Sequence, residues 1–197
     1  MEATIGDTEA IAAARGGDQE AFCALVARYQ DSAFRAAFLV VRDAALAEDV
    51  AQEGFVRAYQ NLGRFHDGEP FRPWVLRIVT NLALNEVRSR ARRHGLLERV
   101  AKFRQEPPPA PEHEAEMDEE RALLWRAINE LREEDRVVLY LRYFLDLPER
   151  EIALAIGHPP GTVKSRLSRA SARLREVIER GYPGLRPARA RAEAPRG

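Results

Sequence analysis

Lys164, Ser165, Arg166, Ser168, Arg169 and Arg173 crowd into one short stretch that Arg175 extends. Small hydroxyl side chains let a backbone approach a DNA groove closely. Guanidinium and ammonium groups donate to phosphate oxygens and guanine edges. Val163, Leu167, Ala170, Leu174 and Val177 recur through the same stretch at helical spacing, which puts Ser165, Ser168 and Arg169 on the opposite face. A second set runs through Arg77, Asn81, Asn85 and Arg88, behind a loop that carries Arg64 and His66 and is bordered by Phe65 and Phe71. Cations for phosphates, amides for base edges and rings for stacking are what a single nucleic-acid strand needs. Trp74, in the same segment, reads as core. A third set is Asp49, Gln52, Glu53 and Val56, roughly opposite the stripe Ala44, Ala47, Ala51, Phe55, Ala58 and Leu62. An acidic strip with an exposed valine suits a basic, partly apolar protein partner. On spacing alone, all three also fit solvated faces of ordinary amphipathic helices.

Catalytic chemistry has little to work with. His66, His94, His113 and His158 are scattered, Cys23 is the single cysteine, and no glycine-rich phosphate loop occurs. His113 and Glu114 lack the second histidine of a metalloprotease pair. No catalytic residue, metal site, cofactor or small-molecule substrate is expected. The 31 basic and 31 acidic side chains balance to zero net charge, but they are segregated. Residues 72–104 hold nine Lys or Arg against two acids, and residues 105–120 hold seven acids and no Lys or Arg. Such blocks imply differently charged partners, or a basic surface that an acidic strap can cover. One cysteine excludes a disulfide framework, and the apolar run 36–41 is far too short to cross a bilayer. A cytoplasmic protein with no membrane insertion is the expectation.

Positioning these side chains is a task for helices, because strand signals are nearly absent. The pattern predicts an all-α fold of two small helical domains. Helices are expected at 18–40, 43–62, 71–93 and 96–104, then at 118–131, 133–145, 148–156 and 161–180. The domains are expected at 1–104 and 118–182. Between them, 105–117 has four prolines within five positions and reads as a flexible acidic linker. The tail 183–197 reads as basic and disordered.

The two helical halves carry specific motifs. Leu-Pro-Glu-Arg-Glu-Ile-Ala-Leu-Ala-Ile-Gly at 147–157, followed by Gly-Thr-Val-Lys-Ser-Arg-Leu-Ser-Arg-Ala at 161–170, resembles the fourth conserved region of sigma-70 family factors. The intervening His158-Pro159-Pro160 has one proline more than the usual pattern. Ala-Glu-Asp-Val-Ala-Gln-Glu-Gly-Phe-Val-Arg-Ala-Tyr at 47–59 and Phe-Arg-Pro-Trp-Val-Leu-Arg-Ile-Val-Thr-Asn at 71–81 resemble the second conserved region. No room exists between them for the further domain of larger members, which matches the extracytoplasmic-function group. The resemblance implies a sigma factor that is not an enzyme. Core RNA polymerase would be held through Asp49, Gln52, Glu53 and Val56 on the clamp helices of its largest subunit, with a contact to the flap of the second-largest. Promoter DNA would be read at the minus-thirty-five element by Lys164, Ser165, Arg166, Ser168, Arg169 and Arg173. Arg64, Phe65, His66, Phe71, Arg77, Asn81, Asn85 and Arg88 would recognise and melt the minus-ten element. An anti-sigma factor is a further implied partner. The rival reading, a helix-turn-helix regulator that binds DNA as a dimer, accounts only for 147–180.

Overall fold

The structure, a computed structural model, describes residues 6–93 and 119–185. The described chain forms α1 (Asp7–Arg15), α2 (Gln19–Val41), α3 (Ala44–Gln60), α4 (Phe71–Arg93), α5 (Glu119–Asn129), α6 (Glu133–Tyr143), α7 (Glu149–Ile156) and α8 (Pro160–Gly181). Among the described residues there is no strand. The expected helix at 96–104, the linker and all but the first three residues of the tail lie outside the described residues. Local chemistry sets the helix ends. Asp18 and Asp43 accept from the backbone N–H of Ala21 and Leu46 as N-caps, at 3.1 and 3.0 Å. Gly157 closes α7 in the left-handed region at φ 67°, where glycine carries no Cβ penalty.

In the first half, α2, α3 and α4 pack on one another and α1 lies along α2. Leu25, Leu39, Phe71, Val75, Leu76 and Val79 are fully buried between them. Helices α3 and α4 cross so closely at Gly54 that a Cβ there would overlap Val79. The expected α3 stripe is buried except Ala44, which is exposed at the first helical position before α3 reaches its neighbours. In the second half, α8 packs against α5, α6 and α7 around Val138, Leu141, Ile152 and Val163. Two expectations change at the ends of the chain. Residues 7–15 form a helix through Ala10, Ile11 and Ala14, which are buried. Pro183–Leu185 form a 3-10 turn packed on α5, so order extends past 182.

The halves also pack on each other, which the sequence did not indicate. Helix α7 lies along α4 and α6 along α2, and one apolar cluster runs through both. The Thr80 hydroxyl reaches the carbonyl of Ala155 at 3.4 Å, and Arg72 reaches that of Leu145 at 3.4 Å. Arg136 sits at the centre of this contact, 2% exposed. Its guanidinium donates to the carbonyls of Leu39 and Val40 at the end of α2, and to Leu131 within its own half at 2.7 Å. The last carbonyls of a helix lack intrahelical partners and carry the negative end of its dipole, so a cation satisfies both demands. Burial, with Arg42 nearby, pulls the guanidinium pKa down to about 10, which leaves it charged at neutral pH.

Truncating Arg136 strips these carbonyls of their donor and opens a cavity. Arg136→Ala should lower unfolding stability by about 2–4 kcal/mol. Arg136→Met, which keeps the volume and removes the buried charge, should lose less. Urea or guanidinium unfolding followed by circular dichroism measures both.

Candidate functional site

The second half presents a helix-turn-helix. His158 N–H returns to the carbonyl of Ala153 at 3.0 Å across the left-handed Gly157, giving α7 a Schellman-type end. Pro159 then serves as N-cap and Pro160 as the first residue of α8. The second proline therefore starts the helix one residue earlier than expected, at a position where no backbone donor is needed. Val163, Ala170 and Val177 are buried. Lys164, Ser165, Ser168 and Arg169 are exposed, and Arg166 is half-buried. Ser165 Oγ donates to the Thr162 carbonyl and Arg169 Nε to the Ser165 carbonyl, at 2.9 and 3.2 Å. These are local, exposed contacts that a nucleic acid can replace without unfolding anything. Arg173, expected at the edge of the open face, is exposed, and its guanidinium is also 2.6 Å from the buried carboxylate of Asp135 on α6. Asp135 stands 38 residues away in sequence, and no local pattern signals the pair.

Arg77, Asn81, Asn85 and Arg88 are all exposed along α4. The first and last are engaged by the other half. A side chain at Gly157 would meet the Arg77 guanidinium at about 3.2 Å, and Arg88 lies 3.7 Å from Glu134. Arg64 and His66 are exposed in the loop before α4. Phe65 and Phe71, expected as rings bordering that loop, are core residues at 4% and 1% exposure. They meet each other and Trp74 edge-on or tilted, with centroids 5.0–5.9 Å apart, so neither offers a face to a base. An aromatic beside a loop reads alike in sequence whether it faces in or out.

Between α2 and α3 lies an open groove of about 760 Å³. Phe22, Val26, Phe34, Phe55, Val56 and Tyr59 line it, and Phe22 and Tyr59 hold their ring centroids 4.9 Å apart. Gln52 and Val56 belong to the groove, with Val56 49% exposed. Asp49 and Glu53 do not line it but stand exposed on the same helix, Glu53 paired with Arg57 at 2.7 Å. Asp31 on α2 and Glu48 on α3 supply the acids in the groove itself. The contribution of α2 was missed by reading α3 alone. Phe22 and Val26, four residues apart, were the available signal. At the end of α6, Tyr143 and Phe144 are exposed, and Phe144 stacks on Trp125 at 4.7 Å.

The family described as Sigma-70 region 2 matches residues 25–93, and Sigma-70, region 4 matches residues 121–174. The chain is 35% identical over 187 residues to the RNA polymerase sigma-H factor of Pseudomonas aeruginosa, covering 91% of this chain and 95% of that protein. It is 31% identical over 170 residues to the ECF RNA polymerase sigma factor SigW of Bacillus subtilis, covering 82% and 91%. Among solved structures, CnrH in complex with the cytosolic domain of CnrY superposes with a TM-score of 0.64 at 26% identity, over 89% of this chain and 98% of that one. With one sigma region matched on each half and whole-length identity to such factors, the chain belongs to the sigma-70 family of RNA polymerase sigma factors, in its extracytoplasmic-function group.

Proposed function

We propose that the protein binds core RNA polymerase through the α2–α3 groove and the acids beside it. It then directs initiation by reading a minus-thirty-five element with α8 and by opening a minus-ten element with α4 and the loop before it. The observation that carries this reading is the groove. An apolar channel flanked by Glu48, Asp49 and Glu53 fits a helical protein partner with basic edges, here the clamp helices of the largest subunit. A regulator that only binds DNA has no use for it. The exposed Tyr143 and Phe144 offer a second apolar contact, suited to the flap of the second-largest subunit. In this reading 1–104 is the clamp-binding and melting domain and 118–182 the minus-thirty-five domain, and the protein performs no chemistry of its own.

Promoter elements 25 positions apart are separated by roughly 85 Å of duplex. Helices α4 and α7 touch, so the halves separate on such a promoter. Residues 94–118 at roughly 3.3–3.6 Å each have a maximum reach of similar size. CnrH is in complex with the cytosolic domain of CnrY, and here the same groove fits a protein partner that would hold the chain inactive, an anti-sigma factor. Among the described residues no helix is long and apolar enough to cross a membrane. We place the protein in the cytoplasm with its polymerase.

Replacing Asp49 and Glu53 together by arginine should weaken binding to core polymerase by at least roughly tenfold while leaving helical content unchanged. Co-purification and fluorescence titration with core enzyme measure this, and undiminished binding overturns the clamp assignment. Arg169→Ala should cost about 1–3 kcal/mol on a matched promoter and relax preference at one minus-thirty-five position. Arg175→Ala, at an exposed flank, should weaken all sequences alike and lower the salt dependence by about one counterion. Binding of the holoenzyme to single-base promoter variants across a salt series separates the two. If Arg169→Ala also weakens every sequence equally, α8 attracts DNA without reading it.

A further inference from the structure

The last residue of α1 reaches across to the loop that precedes α4. Arg15 Nε donates to the carbonyl of Leu62 at 3.0 Å, and a terminal nitrogen donates to the carbonyl of Phe65. Its other terminal nitrogen is 2.5 Å from the Asp67 carboxylate, and its guanidinium carbon lies 5.9 Å from the centre of the Phe65 ring. All three guanidinium nitrogens are thus spent on residues 62–67. The Arg15 side chain is only 26% exposed, whereas Asp67 is 82% exposed. The loop's own backbone bonds, Arg64 to Asn61, Phe65 to Leu62 and Glu69 to His66, are short-range turns, and Gly68 turns the chain at φ 86°. Short turns fix local shape but not the direction in which the loop leaves the helical core. Three bonds in the plane of one guanidinium fix that direction, because its fork geometry is rigid.

Charge gives the contact a second consequence. Asp67 stands between Arg64 and His66 on one side and Glu69 on the other, all exposed. A strand entering the loop brings phosphates, which an uncompensated carboxylate repels. Arg15 cancels that charge from behind, on the protein side, and leaves Arg64 and His66 outermost.

We propose that Arg15 is a positioning residue for strand capture: it sets the direction of the 62–67 loop and neutralises Asp67, so that an unpaired minus-ten base and its phosphates can enter. This rests on the reading above that the loop takes such a base. Arg15 itself touches no nucleic acid in this proposal, and it acts from a helix outside the matched sigma regions.

The test uses the full-length protein in holoenzyme, on a promoter it initiates from, with 2-aminopurine at an upstream non-template position of the minus-ten element. Base extrusion raises the fluorescence. Arg15→Ala should slow that rise by roughly tenfold or more, the scale of losing charge-assisted hydrogen bonds, while core binding is unchanged. Adding Asp67→Ala to Arg15→Ala should recover part of the rate, about threefold or more, because the two residues are coupled. A purely structural role for α1 predicts no recovery, and a loss that Asp67→Ala does not relieve overturns the proposal. The double variant Arg64→Ala with His66→Ala reports on the loop itself. If it captures the base like wild type, the loop reading falls and this proposal with it. If it fails while Arg15→Ala behaves as wild type, the loop reading stands and the Arg15 assignment alone is overturned.

Discussion

A buried guanidinium on the carboxyl end of a helix from the other half is the contact on which this architecture turns. Helix α2 is the spine of the first half, in contact with α1, α3 and α4, and its final carbonyls need donors. Arg136 supplies them from α6, so the end of the spine is completed only by the second half. That arrangement aligns α6 along α2 and brings α7 against α4, which merges two small cores into one cluster. Small helical domains bury too little surface to be robust alone, and the merger relieves that shortage.

The functional surfaces differ in how firmly they are held. The groove and α4 belong to one rigid unit, because α3 and α4 meet at Gly54 with no room for a side chain. Docking the groove on a partner therefore fixes the direction of Arg77, Asn81 and Asn85 as well. Helix α8 is tied differently, by the Asp135–Arg173 pair that locks it to α6. The outer face of α8 is thus oriented from behind by a charged contact, and Lys164, Ser165, Ser168 and Arg169 on that face stay exposed.

Helix positions were legible because they depend on local signals. The 3.6-residue stripes, the Asp18 and Asp43 caps and Gly157 placed seven of the eight observed helices within a few residues. Helix α1 escaped because its buried face is mostly alanine, and Ala10 and Ala14 give little contrast against the alanines around them. The exposed faces of α3, α4 and α8 followed from the same periodicity. What could not be read were decisions made between distant residues. Phe65 and Phe71 turn inward because Trp74 gives them a partner, Arg173 finds Asp135, and Arg15 finds Asp67. Sequence gives the residue types at such positions and leaves their pairing open until tertiary packing closes it.

The contact between the halves also has a thermodynamic side. A ligand that recognises only separated halves sees just the open fraction of molecules, and its apparent affinity falls by that fraction, about tenfold for each 1.4 kcal/mol by which closure is favoured. The α2–α3 groove is open to solvent with the halves packed, so a ligand confined to the groove pays no such penalty. Binding at the groove and any binding that needs the halves apart are therefore separable equilibria. Any molecule that binds the packed form more tightly than the open one suppresses the second and leaves the first intact.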